Sequence, residues 1–177
     1  MIRPNFFIMG APRCGTTALF SYLSEHPNIY LPRYKELHYF AQELKDLWKF
    51  PYHHEDEYLA LFNNAPAEAT AIGEAASLYF YSPTAVRRIY EFDPEARLII
   101  SLRNPVDFVY SYHQLNLTMR RENVEDFETA WNQYEERKAG RVQTPGSRVP
   151  LITWYKELGR FGDQLERVYA IFPREQV

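Results

Sequence analysis

The chain has 177 residues, of which 46% are hydrophobic and 24% are charged, the balance of an ordinary soluble globular protein. Its net charge of -3 and its pI of about 6.0 provide no basic surface for nucleic acid or an anionic membrane. A lone cysteine, Cys14, excludes an internal disulfide framework and a cysteine-rich zinc site. No secretory or membrane-spanning apolar run is found, so the sequence predicts a cytoplasmic protein without a membrane span.

The first predicted unit is a strand, a loop and a helix. The apolar run Phe6–Met9 indicates a buried parallel strand, and apolar residues at helical spacing begin at Ala18. The loop between them contains Gly10 and Gly15, and its N–H groups, with the positive end of the helix, can surround an anion. Thr16 stands where nucleoside triphosphatases have lysine, which argues against ATP or GTP hydrolysis. A tight turn without a ligand is the alternative interpretation.

A second unit of the same kind follows. A helix is predicted from Ser82-Pro83 to Asp93-Pro94, then a central strand over residues 97–102. The next helix begins at Asn104-Pro105. Strands that alternate with helices predict an α/β fold of three layers, in which helices cover both faces of a central parallel sheet.

The last third of the chain is predicted to be more helical. An amphipathic helix is expected from Asp126 to Lys138, and a polar loop over residues 142–150. Helix is expected from Leu151 to Phe172, with a break near Gly159 or Gly162. Residues 173–177 have the pattern of a turn that enters another strand, so the fold is expected to be truncated at its C-terminal side.

Three segments resemble motifs of one known family. The residues from Pro12 to Leu19 are similar to the 5′-phosphosulfate-binding loop of sulfotransferases that use 3′-phosphoadenosine 5′-phosphosulfate (PAPS). The segment Lys35–Phe40 resembles the Lys-Glu-x-His-Phe-Phe segment of the heparan-sulfate type and its bacterial relatives. Residues 97–106, with Ser111-Tyr112, resemble the 3′-phosphate-binding strand and helix. The motifs follow one another in the family's order along nearly the whole chain.

The resemblance implies a P-loop-like fold and a PAPS site, with residues 1–177 forming the N-terminal, PAPS-binding portion of a sulfotransferase domain. Five consecutive residues would hold the 5′-phosphosulfate: Arg13, Cys14, Gly15, Thr16 and Thr17. Arg103 and Ser111 would hold the 3′-phosphate, which distinguishes PAPS from ATP. For Arg103, a surface ion pair is the alternative. No metal is required in principle, because the sulfate carries a single negative charge.

The resemblance also implies catalytic roles. Sulfuryl transfer is an in-line displacement, and Glu36 matches the family's general base, with Arg13 placed to stabilise charge on the bridging oxygen. If the segment is extended, His38 lies on the same side as Glu36 and can orient it, orient the acceptor or share its role. The alternatives are a surface charge for Glu36 and a packed ring for His38. Lys35 can contact the sulfate or the acceptor.

Two positions depart from the family pattern, and the acceptor is open. Arg13 replaces the usual lysine, and Ala75 replaces the lysine of a Gly-Glu-Lys-Ser-Pro-x-Tyr stretch. The expected acceptor is a hydroxyl or amine of a small molecule or carbohydrate, and no nucleic acid partner is expected. A P-loop kinase or phosphotransferase, and a degenerate nucleotide-binding module without catalysis, are the alternative functions.

Overall fold

The computed structural model describes residues 2–44, 52, 54–144 and 149–177. These residues form two compact units, the first comprising Met1–Leu102 with Gln164–Val177 and the second Arg103–Asp163. The loop predicted over residues 142–150 lies partly outside the described residues.

The first unit is built on a parallel sheet of four strands. These are β1 (Phe6–Gly10), β2 (Ile29–Tyr30), β3 (Ala71–Ala75) and β4 (Arg97–Ile100), in the order β2-β3-β1-β4. All five residues of β1 are buried, as expected of a strand with neighbours on both sides. The predicted α/β class is therefore confirmed, whereas β2 and β3 were not predicted from the sequence.

The described residues contain helices in both units. Those with bounds in the first unit are α1 (Thr16–Ser24), α2 (Glu55–Ala60) and α3 (Ala85–Phe92), of which α2 was not predicted from the sequence. The second unit contains α4 (Pro105–Thr118), α5 (Phe127–Asn132), α6 (Tyr134–Lys138) and α7 (Tyr155–Leu158), and α8 (Phe161–Tyr169) begins at its end. Short 3-10 helices lie at Gln42–Leu44, Pro150–Thr153 and Arg174–Gln176.

One of the predicted helices is divided in the structure. The single helix predicted from Asp126 to Lys138 is divided at Gln133, and Asp126 is the cap of its first half, accepting a hydrogen bond of 2.7 Å from the Thr129 N–H. The turn predicted at residues 173–177 is present as the 3-10 helix Arg174–Gln176. The break predicted near Gly159 is confirmed, since α7 ends at Leu158 and α8 begins at Phe161.

Gly10 positions the strand ends around the site. It has a φ of +151°, and a Cβ atom there would lie 2.5 Å from the Ser77 carbonyl oxygen and 2.8 Å from Phe80 Cβ. No larger residue fits without displacing the backbone that follows β3. The end of β1 and the turn after β3 therefore lie in direct contact.

Candidate active site

The loop after β1 is fixed by the residue that follows β4. The Ala11 N–H donates to the Ser101 carbonyl oxygen at 2.8 Å, and Ser101 Oγ donates to the Cys14 carbonyl oxygen at 2.6 Å. The Cys14 side chain is buried, as expected of a small loop residue. The site thus lies at the carboxyl ends of parallel strands, where open α/β sheets bind their ligands.

The predicted anion loop ends at the first turn of α1. Gly15 is the N-cap residue in the left-handed region, with φ 84°, and lacks a side chain that could cap the helix. Arg13 is exposed and also left-handed, with φ 60°. Thr16 is buried and Thr17 is exposed. First-turn N–H groups without a side-chain cap, beside an exposed guanidinium, suit an anionic ligand.

Glu36 is the centre of a cluster of polar groups. Its Oε2 accepts hydrogen bonds from the Ser77 N–H at 2.8 Å and from Ser77 Oγ at 2.9 Å. His38 Nε2 lies 3.1 Å from the same oxygen, and Lys35 Nζ lies 3.1 Å from Oε1. The Glu36 side chain keeps 26% of its surface exposed, whereas that of His38 is fully buried. The carboxylate is therefore held on one side and open on the other.

The backbone of this segment is not extended. Glu36 has φ 61° and His38 has φ 51°, both in the left-handed region that costs non-glycine residues roughly 1–2 kcal/mol each. The extended backbone that was expected to place Glu36 and His38 on the same side is therefore wrong. The Glu36 carboxylate and the His38 ring nevertheless lie next to each other. The Glu36 N–H donates to the Ala75 carbonyl oxygen at 2.6 Å, which anchors the segment to the end of β3.

The surroundings of Glu36 keep its carboxylate ionised. Burial alone would raise its pKa, but the hydrogen bond and charge of His38, the charge of Lys35 and the Ser77 N–H outweigh burial and lower the pKa to about 2. The buried His38 ring also makes an edge contact with the Tyr79 ring, at a centroid distance of 6.0 Å. His38 is thus both a packed ring and a neighbour of Glu36.

Lys35 links the cluster to the anion loop. Its Nζ donates to Thr17 Oγ1 at 2.8 Å while lying 3.1 Å from Glu36. Ala75, by contrast, is buried in an apolar cluster with Phe6 and Ile8. Contacts in the first unit therefore bring together the loop, the basic group and the carboxylate that the sequence singled out.

Arg103 and Ser111 lie in the second unit. Arg103 Nη2 is 3.7 Å from Asp107 Oδ2, one turn into α4, and both side chains are largely exposed. Ser111 is half-buried on the same helix, whose N-cap, Asn104, accepts a hydrogen bond from the Val106 N–H. The ion pair that was the alternative for Arg103 is thus present.

The second unit also contains a cavity of about 660 Å³. Its lining is largely apolar and includes Val106, Val109, Phe127 and Trp131, with Lys156 among the charged groups. None of the residues predicted from the sequence to bind PAPS lines it.

Metal-binding clusters and membrane-spanning helices are both absent from the described residues. These residues contain no group of three or more His, Cys, Asp or Glu side chains arranged to hold a metal ion. None of their helices combines the length and the apolar character needed to cross a membrane.

Comparison with known proteins assigns the family. A family model described as the sulfotransferase domain matches residues 3–166. The chain belongs to the sulfotransferase family. Its structure resembles the crystal structure of a sulfotransferase from Alicyclobacillus acidocaldarius, with a TM-score of 0.84 and 33% identity over all of this chain and 72% of that one. The P-loop-like fold expected from the sequence agrees with this match.

Other sulfotransferases are similar over part of their length. The membrane-associated sulfotransferase kil1 of Dictyostelium discoideum is 31% identical over 120 residues, which are 68% of this chain and 24% of that protein. Carbohydrate sulfotransferase 15 of Rattus norvegicus is 31% identical in an alignment 164 positions long, which covers 70% of this chain and 29% of that protein. The chain thus spans under a third of these curated relatives. A kinase or phosphotransferase is not favoured by these matches.

Sequence reasoning missed one residue of the cluster around Glu36, Ser77, and one contact within it. Ser77 binds Glu36 through both its N–H and its hydroxyl, and it lies two residues after Ala75. The contact between Lys35 and Thr17 joins residues 18 apart. The order of the strands in the sheet creates both contacts, and no local pattern encodes that order.

Proposed function

We propose that residues 1–177 form the N-terminal, PAPS-binding portion of a sulfotransferase. The enzyme transfers a sulfuryl group from PAPS to a hydroxyl or amine of a small-molecule or carbohydrate acceptor. The observation that carries this proposal is the position of the Lys35 ammonium, which lies between Thr17 of the anion loop and the carboxylate of Glu36. One basic group therefore adjoins both the expected donor site and the expected base.

The loop suits the 5′ end of the donor. Arg13 is exposed and permanently charged, and the uncapped N-terminus of α1 at Gly15 adds N–H groups and the positive end of a helix. Cys14, Thr16 and Thr17 complete the set of residues that would hold the phosphosulfate. Bound PAPS would supply the activated sulfuryl group, and Arg13 would stabilise the negative charge that develops on the departing phosphate oxygen.

Glu36 acts as the general base. It accepts the proton of the acceptor hydroxyl or amine while that atom forms its bond to sulfur and the bond from sulfur to the departing phosphate breaks. A pKa of about 2 keeps Glu36 ionised and ready but makes it a weak base. An anion in the loop would compete with Glu36 for the Lys35 ammonium, and weakening that ion pair would increase the basicity of Glu36.

His38 orients Glu36, since its fully buried ring leaves little freedom of movement and its Nε2 faces the carboxylate. Arg103 and Ser111 are proposed to hold the 3′-phosphate. Both side chains lie on or immediately before α4.

The decisive test is PAPS-dependent sulfation of a panel of sugars, aminosugars, phenols and other hydroxyl compounds, with the Glu36→Gln variant beside the wild type. The exposed residue Glu95 provides a matched control, because Glu95→Gln removes the same charge from the surface. Transfer by the wild type and by Glu95→Gln, with loss in Glu36→Gln, would support the proposal. Undiminished transfer by Glu36→Gln would remove Glu36 from the mechanism.

Two further expectations stay predictions. The cytoplasmic location expected from the sequence can be checked by cell fractionation. The expectation that transfer from PAPS requires no metal ion can be checked by assaying transfer in the presence of a chelator, which should leave the rate unchanged.

A further inference from the structure

Glu74 is a second carboxyl group in the first unit, and its side chain is completely buried within β3. Its Oε2 accepts a hydrogen bond of 2.5 Å from the Tyr58 hydroxyl, and its Oε1 accepts one of 2.6 Å from the Tyr79 hydroxyl. Burying a carboxyl group against neutral hydroxyls is costly whenever it ionises. The two hydrogen bonds therefore tie this buried carboxyl group to Tyr58 and Tyr79.

Tyr79 connects Glu74 to the segment that carries the proposed base. Its hydroxyl oxygen accepts a hydrogen bond of 3.2 Å from the N–H of Phe40, and its ring lies against that of His38. A chain of contacts therefore runs from the Glu74 carboxyl through one phenol to the end of the segment Lys35–Phe40.

That segment requires support from outside. Its left-handed residues, Glu36 and His38, adopt backbone conformations that persist only where surrounding contacts enforce them. The Ala75 carbonyl and Ser77 hold the segment at Glu36, and Tyr79 holds it at Phe40. All three supporting residues lie within five positions after Glu74 in the chain.

We propose that Glu74 is a positioning residue that acts through Tyr79. By fixing the Tyr79 hydroxyl, it holds the segment Lys35–Phe40 in the conformation that aims Glu36 at the acceptor. This inference rests on the proposed function for its catalytic consequence, but its structural part can be measured without any enzyme activity.

The charge state of Glu74 is consistent with this role. Burial raises its pKa to about 7, against hydrogen bonds from Tyr58 and Tyr79 that lower it, while the charge on Glu36 raises it further. The groups acting on it are therefore two hydroxyls and one carboxylate. Below pH 7 the group is largely neutral and can be buried at little cost.

Tyr58 offers a matched control. Its hydroxyl binds the same carboxyl group, but the contact it makes with Phe40 is between rings, at a centroid distance of 5.5 Å. Tyr58→Phe and Tyr79→Phe each remove one hydrogen bond from Glu74 and keep the ring, whereas only Tyr79→Phe also removes the acceptor for the Phe40 N–H. If these residues only stabilised the fold, Tyr58→Phe and Tyr79→Phe would be expected to have similar effects on amide exchange and on kcat.

The test compares these variants in the full chain by two measurements. Amide hydrogen exchange at Phe40, followed by NMR, is expected to accelerate in Tyr79→Phe by on the order of 10-fold or more relative to Tyr58→Phe. In the sulfation assay, kcat is expected to fall on the order of 10- to 100-fold in Tyr79→Phe, with KM for PAPS little changed, and to fall much less in Tyr58→Phe. Glu74→Leu is expected to reproduce the Tyr79→Phe result.

Equal exchange rates at Phe40 in the two tyrosine variants would overturn the proposal, as would equal losses of kcat. If Glu74→Leu does not fold, Glu74→Ala takes its place, because the tyrosine pair by itself tests only the contact between Tyr79 and Phe40. Absence of sulfation activity in the complete sulfotransferase that contains residues 1–177 would instead count against the proposed function, and the exchange measurement would still decide whether Glu74 and Tyr79 position the segment.

Discussion

Glu36 and Glu74 lie in the same unit, yet their surroundings act on them in opposite directions. Glu36 is partly exposed and has an ammonium, an imidazole and a backbone N–H within hydrogen-bonding distance, so its pKa falls to about 2. Glu74 is fully buried between two tyrosine hydroxyls, so its pKa rises to about 7. The residues are of one type, but burial outweighs the two hydroxyls at Glu74, whereas His38, Lys35 and Ser77 outweigh burial at Glu36.

The contrast between Glu36 and Glu74 matches the different roles proposed for these two carboxyl groups. The charged and partly exposed carboxylate of Glu36 is the one proposed to take up the proton of the acceptor. The buried and largely neutral one belongs to the support beneath it. Two carboxyl groups whose pKa values are driven apart are a recurrent sign of distinct roles in one site.

The largest expected effect is on catalysis by Glu36. Glu36→Gln keeps the size of the side chain but cannot accept a proton, so kcat for sulfation should fall on the order of 10²- to 10⁴-fold. The measurement is the initial rate at saturating PAPS for both proteins. If Glu36→Gln retains more than a tenth of the wild-type rate, catalysis does not depend on the more exposed carboxylate. The different roles proposed for Glu36 and Glu74 would then be wrong.

The next effect concerns the dependence of stability on pH. Neutral burial of Glu74 stabilises the fold below pH 4.5, the ordinary pKa of a glutamate, and this contribution is lost as the pH rises to about 7, a change of roughly 3 kcal/mol. Urea unfolding of the wild type should therefore show falling stability across this range, and Glu74→Gln should show a flatter curve. The reverse holds for Glu36, whose contribution is present above pH 4.5 and is lost as the pH falls to about 2.

If the free energy of unfolding changes with pH in the same way for the wild type and Glu74→Gln between pH 4.5 and 7, the buried carboxyl group titrates normally. In that case the contrast between the two groups would disappear.

A smaller effect is expected at Lys35. Lys35→Met keeps the aliphatic stem and removes the charge, so kcat/KM for PAPS should fall roughly 10- to 100-fold through the loss of a charge-assisted contact. The pKa of Glu36, followed by NMR, should rise above about 2, because the Lys35 charge lowers it. An unchanged Glu36 pKa would contradict the ion pair on which the link between loop and base depends.

The smallest effect is expected at Ser77. Ser77→Ala removes the hydroxyl hydrogen bond to Glu36 and keeps the backbone N–H bond, so the free energy of unfolding should fall by about 1 kcal/mol. Thermal unfolding measures this loss. A loss well above this value would show that the support of Glu36 depends on Ser77 rather than on the buried cluster.

The sequence predicted elements wherever a local pattern was strong. The apolar run of β1, the proline at the start of α4 and the glycine between α7 and α8 each carried their own signal. The strand β3 was missed because it is five residues long and has a glutamate at its buried fourth position. A carboxyl group in a buried strand looks unfavourable until the hydroxyls of Tyr58 and Tyr79, which lie elsewhere in the sequence, are placed beside it.

The site was predicted only in part, because it too depends on contacts between residues that lie far apart in the sequence. Glu36, His38 and the loop from Arg13 to Thr17 were identified through their resemblance to family motifs. Their left-handed backbone and the support from Ser77 depend on how β3 pairs with β1, which only the folded sheet determines. Ala75 shows the limit of position-by-position comparison, because it lies in the apolar core while Lys35 provides the ammonium beside Thr17.

Recognition of a nucleotide with a 3′-phosphate is the property on which the proposed function depends most directly. Calorimetric titration of 3′-phosphoadenosine 5′-phosphate and of ATP into the wild type, Arg103→Ala and the exposed control Arg120→Ala measures it. We predict that the wild type and Arg120→Ala prefer the 3′-phosphorylated nucleotide by about 10-fold or more, and that Arg103→Ala loses this preference. Equal affinity of the wild type for both nucleotides, or tighter binding of ATP, would contradict the proposed function.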